Sequence, residues 1–244
     1  MKYTAPTDLL ANKTILVTGA GDGIGRRAAI TFAQHGACVI LLGRTVKKLE
    51  AVYDEIINAG FVEPAIVPMD LKGATKKNYV DMAATIVDQF GQLDGVLHNA
   101  AALGVLSPLE HISENSWNEV MHTNVTAPFL MTQALIQVLK QAPNASVVFT
   151  SSGVATGGHA FWGPYAVSKH ACQGLMATIA DEYEKSSIRF NSVNPGAVNT
   201  GMRAKAFPGE DKSKLVTPQD LMPTYLYLMG DDSVELSGQT LQAQ

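Results

Sequence analysis

The sequence predicts an α/β fold in which helices cover both faces of a parallel sheet. Short apolar runs alternate with longer stretches of helical periodicity, from the run at residues 14–18 to a last one at 238–242. The runs are continuously apolar, which is typical of strands buried on both faces. Helices between successive strands imply parallel crossovers and hence three layers. No repeat or linker-like stretch interrupts the chain, so we expect a single domain over residues 1–244.

Composition argues against several classes of function. The 244 residues carry a formal net charge of −4, and the charges are interspersed, so they offer no basic surface for nucleic acid. No apolar run approaches the roughly 20 residues of a membrane span, and the first residues do not resemble a signal peptide. Cys38 and Cys172 lack ligand spacing. We therefore expect a cytoplasmic protein with no disulfide, no metal site, no membrane and no nucleic-acid partner.

A glycine-rich loop follows the first predicted strand. It reads Gly19-Ala20-Gly21-Asp22-Gly23-Ile24-Gly25 and leads into a helical stretch that runs to about residue 35. Glycines let a backbone approach a pyrophosphate, and the following helix N-terminus offers free N–H groups, so this context is typical of a dinucleotide-binding loop. A tight turn without a ligand is the alternative. Asp22 counts slightly against phosphate binding, because its negative charge does not help to hold a phosphate.

Arg44 follows the second predicted strand, residues 37–42. A carboxylate at this point would bind the adenosine ribose of NAD, whereas a nearby arginine accommodates the additional phosphate of NADP. The segment Gly43-Arg44-Thr45 contains no acid, which favours NADP(H) over NAD(H). Arg44 could instead be a surface residue, or could stack on adenine without discriminating between the cofactors.

The remaining elements continue the same alternation. Helical patterns cover residues 45–59, 74–90, 113–139 and about 165–185, and another helix start is indicated at Thr217-Pro218-Gln219-Asp220. The helix over 113–139 is expected to be broken or bent near Pro128. Strand patterns cover residues 64–69, 93–98, 146–151 and 188–193.

Polar residues and glycines recur where the predicted strands end. Asp70, Asn99 and Ser152 follow the third, fourth and fifth strands, and Pro195-Gly196 follows the sixth. Each has an ordinary explanation as a loop cap or turn residue. Ligands of open parallel sheets, however, bind at the carboxyl ends of the strands, where all these positions would meet. We therefore expect the functional site at this edge.

Tyr165 and Lys169 are four residues apart and would project from one face of a helix. A neighbouring ammonium stabilises the charged form of a phenol, so this pair could exchange a proton with a carbonyl or alcohol oxygen. Ser152 could hydrogen-bond the same oxygen. An exposed tyrosine over a solvated lysine is the alternative. Asn124, a polar residue within an apolar helical stretch, is expected to be buried and hydrogen-bonded rather than exposed.

In order and spacing, these motifs resemble those of the classical short-chain dehydrogenases/reductases over nearly the whole chain. The resemblance is carried by Thr18-Gly19-x-x-x-Gly23-x-Gly25, Asp70, Asn99-Ala100, Asn124, Ser152, Tyr165-x-x-x-Lys169 and Pro195-Gly196-x-Val198-x-Thr200. Asp8-Leu9-Leu10 and the segments 41–44 and 229–232 are similar to a group of bacterial reductases of unsettled substrate. The resemblance implies a single Rossmann-like domain, a three-layer αβα sandwich with about seven strands.

The resemblance also implies hydride transfer between NADP(H) and a small-molecule carbonyl or secondary alcohol. Asn124, Ser152, Tyr165 and Lys169 would form a catalytic tetrad, with Tyr165 as general acid/base. Besides Tyr165 and Lys169, the implied cofactor contacts are Gly19, Gly21, Asp22, Gly23, Ile24, Gly25, Arg44, Asp70, Leu71, Asn99, Ala100, Ala101, Pro195, Gly196, Val198 and Thr200. Family members pair as homodimers or homotetramers through the helices that contain Asn124 and Tyr165.

Ala101 departs from the family pattern, which has glycine there, so a negative φ is expected at this position. Substrate identity is left open. Residues close in sequence to the site would either line a substrate pocket or belong to the core or an interface: Leu103, Val154, His159, Phe161, Trp162 and Met202. Residues 201–216 occupy the position of a mobile substrate lid in the family.

Two other functions share parts of this pattern. Nucleotide-sugar epimerases share Tyr-x-x-x-Lys, but their glycine loop has a different spacing from that of Gly19, Gly23 and Gly25. A non-catalytic redox sensor that binds NADP(H) is the second alternative, and the complete tetrad disfavours it.

Overall fold

Seven parallel strands form one sheet in the computed structural model, which describes residues 3–244. The strands are β1 Thr14–Thr18, β2 Cys38–Gly43, β3 Ala65–Pro68, β4 Gly95–His98, β5 Ala145–Thr150, β6 Ile188–Asn194 and β7 Thr240–Gln242. Their order across the sheet is β3-β2-β1-β4-β5-β6-β7, and every neighbouring pair is parallel. The predicted Rossmann-like sheet is therefore confirmed.

Helices connect the strands and cover both faces of the sheet. They are α1 Gly23–Gln34, α2 Val46–Asn58, α3 Lys76–Phe90, α4 Glu114–Met121, α5 Ala127–Leu139, α6 Gly163–Glu182, α7 Gly201–Ala206 and α8 Met222–Met229. α1 begins at Gly23, three residues before Arg26, where the helical periodicity of the sequence starts. Asp22 caps the helix, and the last glycines of the loop form its first turn.

The five inner strands are buried on both faces, as continuous apolar runs predict, whereas the edge strands β3 and β7 are half-buried or exposed. Ile15 and Val17 of β1 join a core cluster with residues of α1, α2 and α8, whereas Leu16 joins a second cluster with residues of α3, α5 and α6. Successive side chains of a strand point to opposite faces, so one apolar run serves two cores. All five residues of β1 are buried.

The long helix predicted over residues 113–139 is interrupted. Ser113 caps α4 by accepting a hydrogen bond from Ser116 N, and a π-helical turn, His122–Thr126, separates α4 from α5. Pro128, at the start of α5, has no N–H to donate to the carbonyl four residues earlier, which belongs to Asn124. The expected break near Pro128 thus places Asn124 at the centre of the irregular turn.

Residues 201–221 contain more regular structure than their sequence indicates. They include α7, and the predicted helix start at Thr217 is a capping box that opens a single 3-10 turn, Pro218–Leu221, before α8. A parallel bridge pairs Val216 of this segment with Val198, which precedes it.

The carboxyl ends of β1 to β6 lie along one edge of the sheet. The direction of the chain across the sheet reverses between β1 and β4, which leaves a crevice between the loops that follow them. Within residues 3–244, none of the helices combines the length and apolarity needed to cross a membrane.

Candidate active site

The glycine loop after β1 lies against the loop that follows β4. A Cβ on Gly25 would stand 2.5 Å from Asn99 Nδ2 and still closer to the carbonyl oxygen of Gly19, so only glycine fits there. Gly23 adopts φ +53°, a conformation that L side chains rarely adopt. These glycines therefore allow a close backbone approach, as the loop prediction requires.

Asp22 is paired rather than free. Its Oδ1 accepts a hydrogen bond from Gly23 N at 2.8 Å, and its Oδ2 lies 2.5 Å from Lys48 Nζ in α2. The hydrogen bond from Lys48 holds the pKa of this carboxyl below its ordinary value. The negative charge that counted against phosphate binding in the sequence is thus neutralised by a residue that sequence reasoning did not select.

Thr18, the last residue of β1, anchors the loop after β4. Its Oγ1 accepts hydrogen bonds from the backbone N of Asn99 and of Ala100, both at 3.0 Å, and donates one to Leu97 O. Asn99 Nδ2 donates to Thr18 O at 3.3 Å. Thr18 is the first residue of the family's glycine motif, but no role was predicted for it from the sequence. Its position directly before Gly19 was the signal that could have identified it.

Three further predicted cofactor residues follow β2 and β3. Arg44 is exposed, Asp70 Oδ1 accepts a hydrogen bond from Lys72 N, and Leu71 is buried. Ala101 follows β4; among residues 3–244, positive φ outside glycine occurs at Asn12 and Phe161, so Ala101 has the negative φ that we expected.

Asn124 is buried, at 2% exposure, and uses its whole side-chain amide. Oδ1 accepts from Ala102 N at 2.7 Å, while Nδ2 donates to Ala102 O and to Ser168 Oγ, both at 2.9 Å. The carbonyl that Pro128 leaves free accepts a hydrogen bond from the Cys172 thiol of α6. Asn124 therefore joins the π-helical turn, the loop after β4 and α6, and its predicted buried role is confirmed.

Tyr165 and Lys169 are both buried, in contrast to the exposed pair of the alternative interpretation. Their exposures are 7% and 5%, and Lys169 Nζ lies 5.7 Å from the centroid of the Tyr165 ring. Lys169 Nζ also donates to Thr150 O, at the end of β5, at 2.7 Å. This backbone contact fixes the ammonium group near the Tyr165 ring. Among the hydrogen bonds of the described residues, none involves the Tyr165 hydroxyl.

Ser152 stands where β5 ends. Its side chain caps a 3-10 turn, Gly153–Thr156, by accepting from Val154 N at 3.5 Å, and it is half-buried. Val154 from the same turn packs in one small cluster with Tyr165. The structure thus brings the turn that Ser152 begins against the catalytic candidate of α6.

The loop after β6 closes the other side of the crevice. Pro195 and Val198 are buried, and Thr200 caps α7 by accepting from Arg203 N. Gln244 Nε2 donates to Pro195 O at 2.6 Å and to Ala197 O at 3.1 Å, and so supports the loop on both sides of Gly196. Sequence reasoning did not select Gln244, since a terminal glutamine carries no motif.

The glycine loop and the loop after β6 approach each other at Gly23. A Cβ on Gly23 would lie 3.5 Å from Thr200 Cγ2, which is van der Waals contact. The N-terminus of α1 opens at this point, where free N–H groups and the helix dipole favour a diphosphate.

The six candidate pocket residues fall into two groups. Val154, Leu103, Trp162 and Met202 surround Tyr165 in one small apolar cluster. His159 and Phe161 are exposed instead, and they line a separate surface cavity of about 760 Å³ together with Leu109, Val167 and His170. Four of the six residues chosen for their closeness in sequence to the site therefore pack with Tyr165, and two do not.

Comparisons with known proteins agree with this geometry. A family model for short chain dehydrogenases matches residues 13–211. The uncharacterized oxidoreductase YciK of Escherichia coli is 48% identical over 100% of this chain and 96% of its own length. A short chain dehydrogenase structure from Pseudomonas syringae is 49% identical, with a TM-score of 0.98 over 100% of this chain and 99% of that one. Another, from Shigella flexneri and complexed with NADP, is 48% identical, with a TM-score of 0.96 over 98% of this chain and 100% of that one.

Proposed function

Since the chain belongs to the short-chain dehydrogenase family, and so to the NAD(P)-dependent oxidoreductases, we propose that it interconverts a carbonyl compound and its secondary alcohol with NADP(H). The observation that carries this proposal is the buried pair of Tyr165 and Lys169, with the ammonium group fixed by Thr150 O. A buried phenol beside a fixed cation is suited to proton exchange at an oxygen atom.

The chain's own residues would handle the proton, while the bound nicotinamide would supply or accept the hydride. Tyr165 donates its phenolic proton to the carbonyl oxygen as negative charge develops there, and Ser152 donates a hydrogen bond to the same oxygen. The ammonium group of Lys169 stabilises the tyrosinate that remains. In the oxidative direction, that tyrosinate accepts the alcohol proton.

Asn124 acts in this proposal as a positioning residue of the tetrad. Its amide is fully engaged with Ala102 and Ser168, and Ser168 Oγ donates in turn to Tyr165 O at 2.7 Å. This network supports the helical turn from which Tyr165 projects. A buried network whose members are all paired rigidifies its surroundings, so it would preorganise the acid.

NADP(H) is the cofactor that we propose, in preference to NAD(H). Arg44 stands exposed after β2, where an arginine can meet the adenosine phosphate, and Lys48 neutralises Asp22 in the neighbouring loop. The Shigella flexneri relative in complex with NADP supports the same choice. The implied contacts of Asp70, Leu71, Asn99, Ala100, Ala101, Val198 and Thr200 belong to this proposal as well.

We also propose that the chain self-associates through the long helices α5 and α6. Phe129 of α5 and Val167 of α6 are apolar side chains with 42% and 45% exposure. Pairing of copies through these helices would remove both from water.

The test is a panel of ketones and aldehydes assayed with NADPH and with NADH side by side. Turnover with NADPH, at a clearly higher kcat/KM than with NADH, is expected. Tight NADPH binding without turnover of any carbonyl or alcohol would contradict the proposal and favour a redox sensor. Turnover with NADH alone would contradict the cofactor assignment but not the reaction.

A further inference from the structure

Three aromatic rings form a continuous line from the candidate general acid to the segment after β6. The Trp162 and Tyr165 ring centroids are 5.8 Å apart, and those of Trp162 and Phe207 are 5.7 Å apart. Phe207 directly follows the last residue of α7 and is 38% exposed. The segment 201–216 is therefore linked to Tyr165 through Trp162.

An ion pair holds the guanidinium of Arg203 against the Phe207 ring. The guanidinium carbon of Arg203 lies 3.8 Å from the centroid of the Phe207 ring. The Nε and Nη2 atoms of Arg203 each donate to a carboxylate oxygen of Glu210 at 2.6 Å. A two-point contact of this kind fixes the plane of the guanidinium, and the stacked ring is fixed with it.

The Arg203–Glu210 ion pair adds no unpaired charge to the surroundings of Tyr165. Glu210 neutralises Arg203, and the hydrogen bond from Arg203 holds the pKa of the Glu210 carboxyl below its ordinary value. Apart from Lys169, which donates to Thr150 O, the side chains that pack around Tyr165 are apolar, namely Leu103, Val154, Trp162 and Met202. A charged substrate group placed against these apolar side chains would lose its hydration without gaining a partner from them.

We propose that Phe207 is a specificity-determining residue, positioned by Arg203 and Glu210, and that the site takes uncharged carbonyl compounds with an aromatic ring next to the carbonyl. The inference rests on the proposed function and names its substrate class. Trp162 and Phe207 would meet the ring of the substrate edge to face or in offset stacking.

The kinetic test compares two ketones of similar size, para-methylacetophenone and para-carboxyacetophenone, with NADPH. The wild-type enzyme is expected to prefer the uncharged ketone by about tenfold or more in kcat/KM. Phe207→Ala should raise KM for that ketone and reduce the preference several-fold. Glu210→Gln should act in the same direction, whereas Lys214→Gln, an exposed position of the same segment, serves as the matched control.

A second readout is independent of turnover. The chain has two tryptophans, so Trp117→Phe leaves Trp162 as the only one. In that background, Phe207→Ala and Glu210→Gln should increase quenching of Trp162 fluorescence by acrylamide, and Lys214→Gln should not.

The outcomes separate this inference from the proposed function. The inference is supported if Phe207→Ala and Glu210→Gln both reduce the preference for the uncharged ketone and both increase acrylamide quenching of Trp162. Equal kcat/KM values for the two ketones would overturn this inference but not the proposed function. A preference that Phe207→Ala leaves unchanged would do the same. If no carbonyl on the broader panel is reduced, the proposed function fails and the substrate class fails with it.

Discussion

Lys169 Nζ lies 5.7 Å from the centroid of the Tyr165 ring, one turn further along α6. Both side chains are buried, and the ammonium group is tied to the backbone of β5 rather than to a carboxylate. A carboxylate partner would neutralise the cation, whereas a carbonyl oxygen leaves its positive charge available to the phenol. In the proposed mechanism, this arrangement would let Lys169 stabilise a tyrosinate at position 165.

Tyr165→Phe removes the only proton that this side chain can donate. We expect kcat to fall by about a hundredfold or more, because general acid catalysis contributes at least that much. NADPH affinity, measured by fluorescence titration, should stay within about twofold, since the ring remains in place. Tyr53→Phe is the control and should keep full activity, since this half-buried tyrosine of α2 donates its hydroxyl to Glu63. Near-normal turnover of Tyr165→Phe would exclude it as the acid.

Arg44→Ala should weaken the binding of NADPH more than the binding of NADH. Loss of a charge-assisted contact to the adenosine phosphate is expected to raise KM for NADPH about tenfold or more, with little change for NADH. Lys47→Ala changes an exposed cation at the start of the neighbouring helix and is the matched control. Equal effects of Arg44→Ala on both cofactors would mean that Arg44 stacks on adenine without discriminating.

Gly25→Ala places a methyl group against the backbone of the glycine loop. Since its Cβ would lie 2.5 Å from Asn99 Nδ2, α1 must shift and the cofactor crevice with it. We expect loss of NADPH binding in calorimetric titration. Gly174→Ala, where a Cβ in helix α6 meets nothing within 4 Å, should instead stabilise the fold by about 0.5–1 kcal/mol. Unimpaired binding by Gly25→Ala would contradict the close approach.

Asn124→Leu removes three hydrogen bonds of a buried side chain and deprives the N–H and C=O of half-buried Ala102 of their Asn124 partner. We expect urea unfolding to show a loss of about 2–5 kcal/mol, since each unsatisfied buried group costs about 1–3 kcal/mol. Ser168→Ala removes only one partner of Asn124 and should cost clearly less. Equal losses in the two variants would mean that Ala102 is held by other contacts.

His98 makes stability depend on pH. Burial lowers its pKa to about 3, whereas an unfolded chain has a value near 6.5. The unfolded state therefore gains the proton first, and stability falls as pH drops below about 6.5, by up to about 2 kcal/mol at pH 5 from this group.

His98→Gln should remove that component when unfolding free energies are compared between pH 7 and pH 5. The variant can still reach Thr132 Oγ1, which lies 2.9 Å from His98 Nε2. His111→Gln changes an exposed histidine and should keep the wild-type pH dependence. An unchanged slope in His98→Gln would indicate that the imidazole is protonated in the fold.

The break in the helix over residues 113–139 shows how far local rules reach. Proline lacks an N–H, so the sequence predicts an interruption near Pro128. It does not predict that the free carbonyl of Asn124 meets the thiol of Cys172, 48 residues away. Lys48 and Gln244 were missed for the same reason, since each acts on a loop that is distant in sequence.

By itself, the sequence determined the alternating elements, the parallel sheet and the edge at which Gly19, Asn99, Ser152 and Tyr165 would meet. Burial of continuous apolar runs and the special conformations of glycine and proline are local properties, so a sequence displays them. The tertiary structure alone decided which charges are neutralised and which side chains cover Tyr165. The pairs Asp22–Lys48 and Arg203–Glu210, and the contact of Phe207 with Trp162, depend on distances between loops. Electrostatic and aromatic contacts act over a few ångströms, so only the assembled fold sets them.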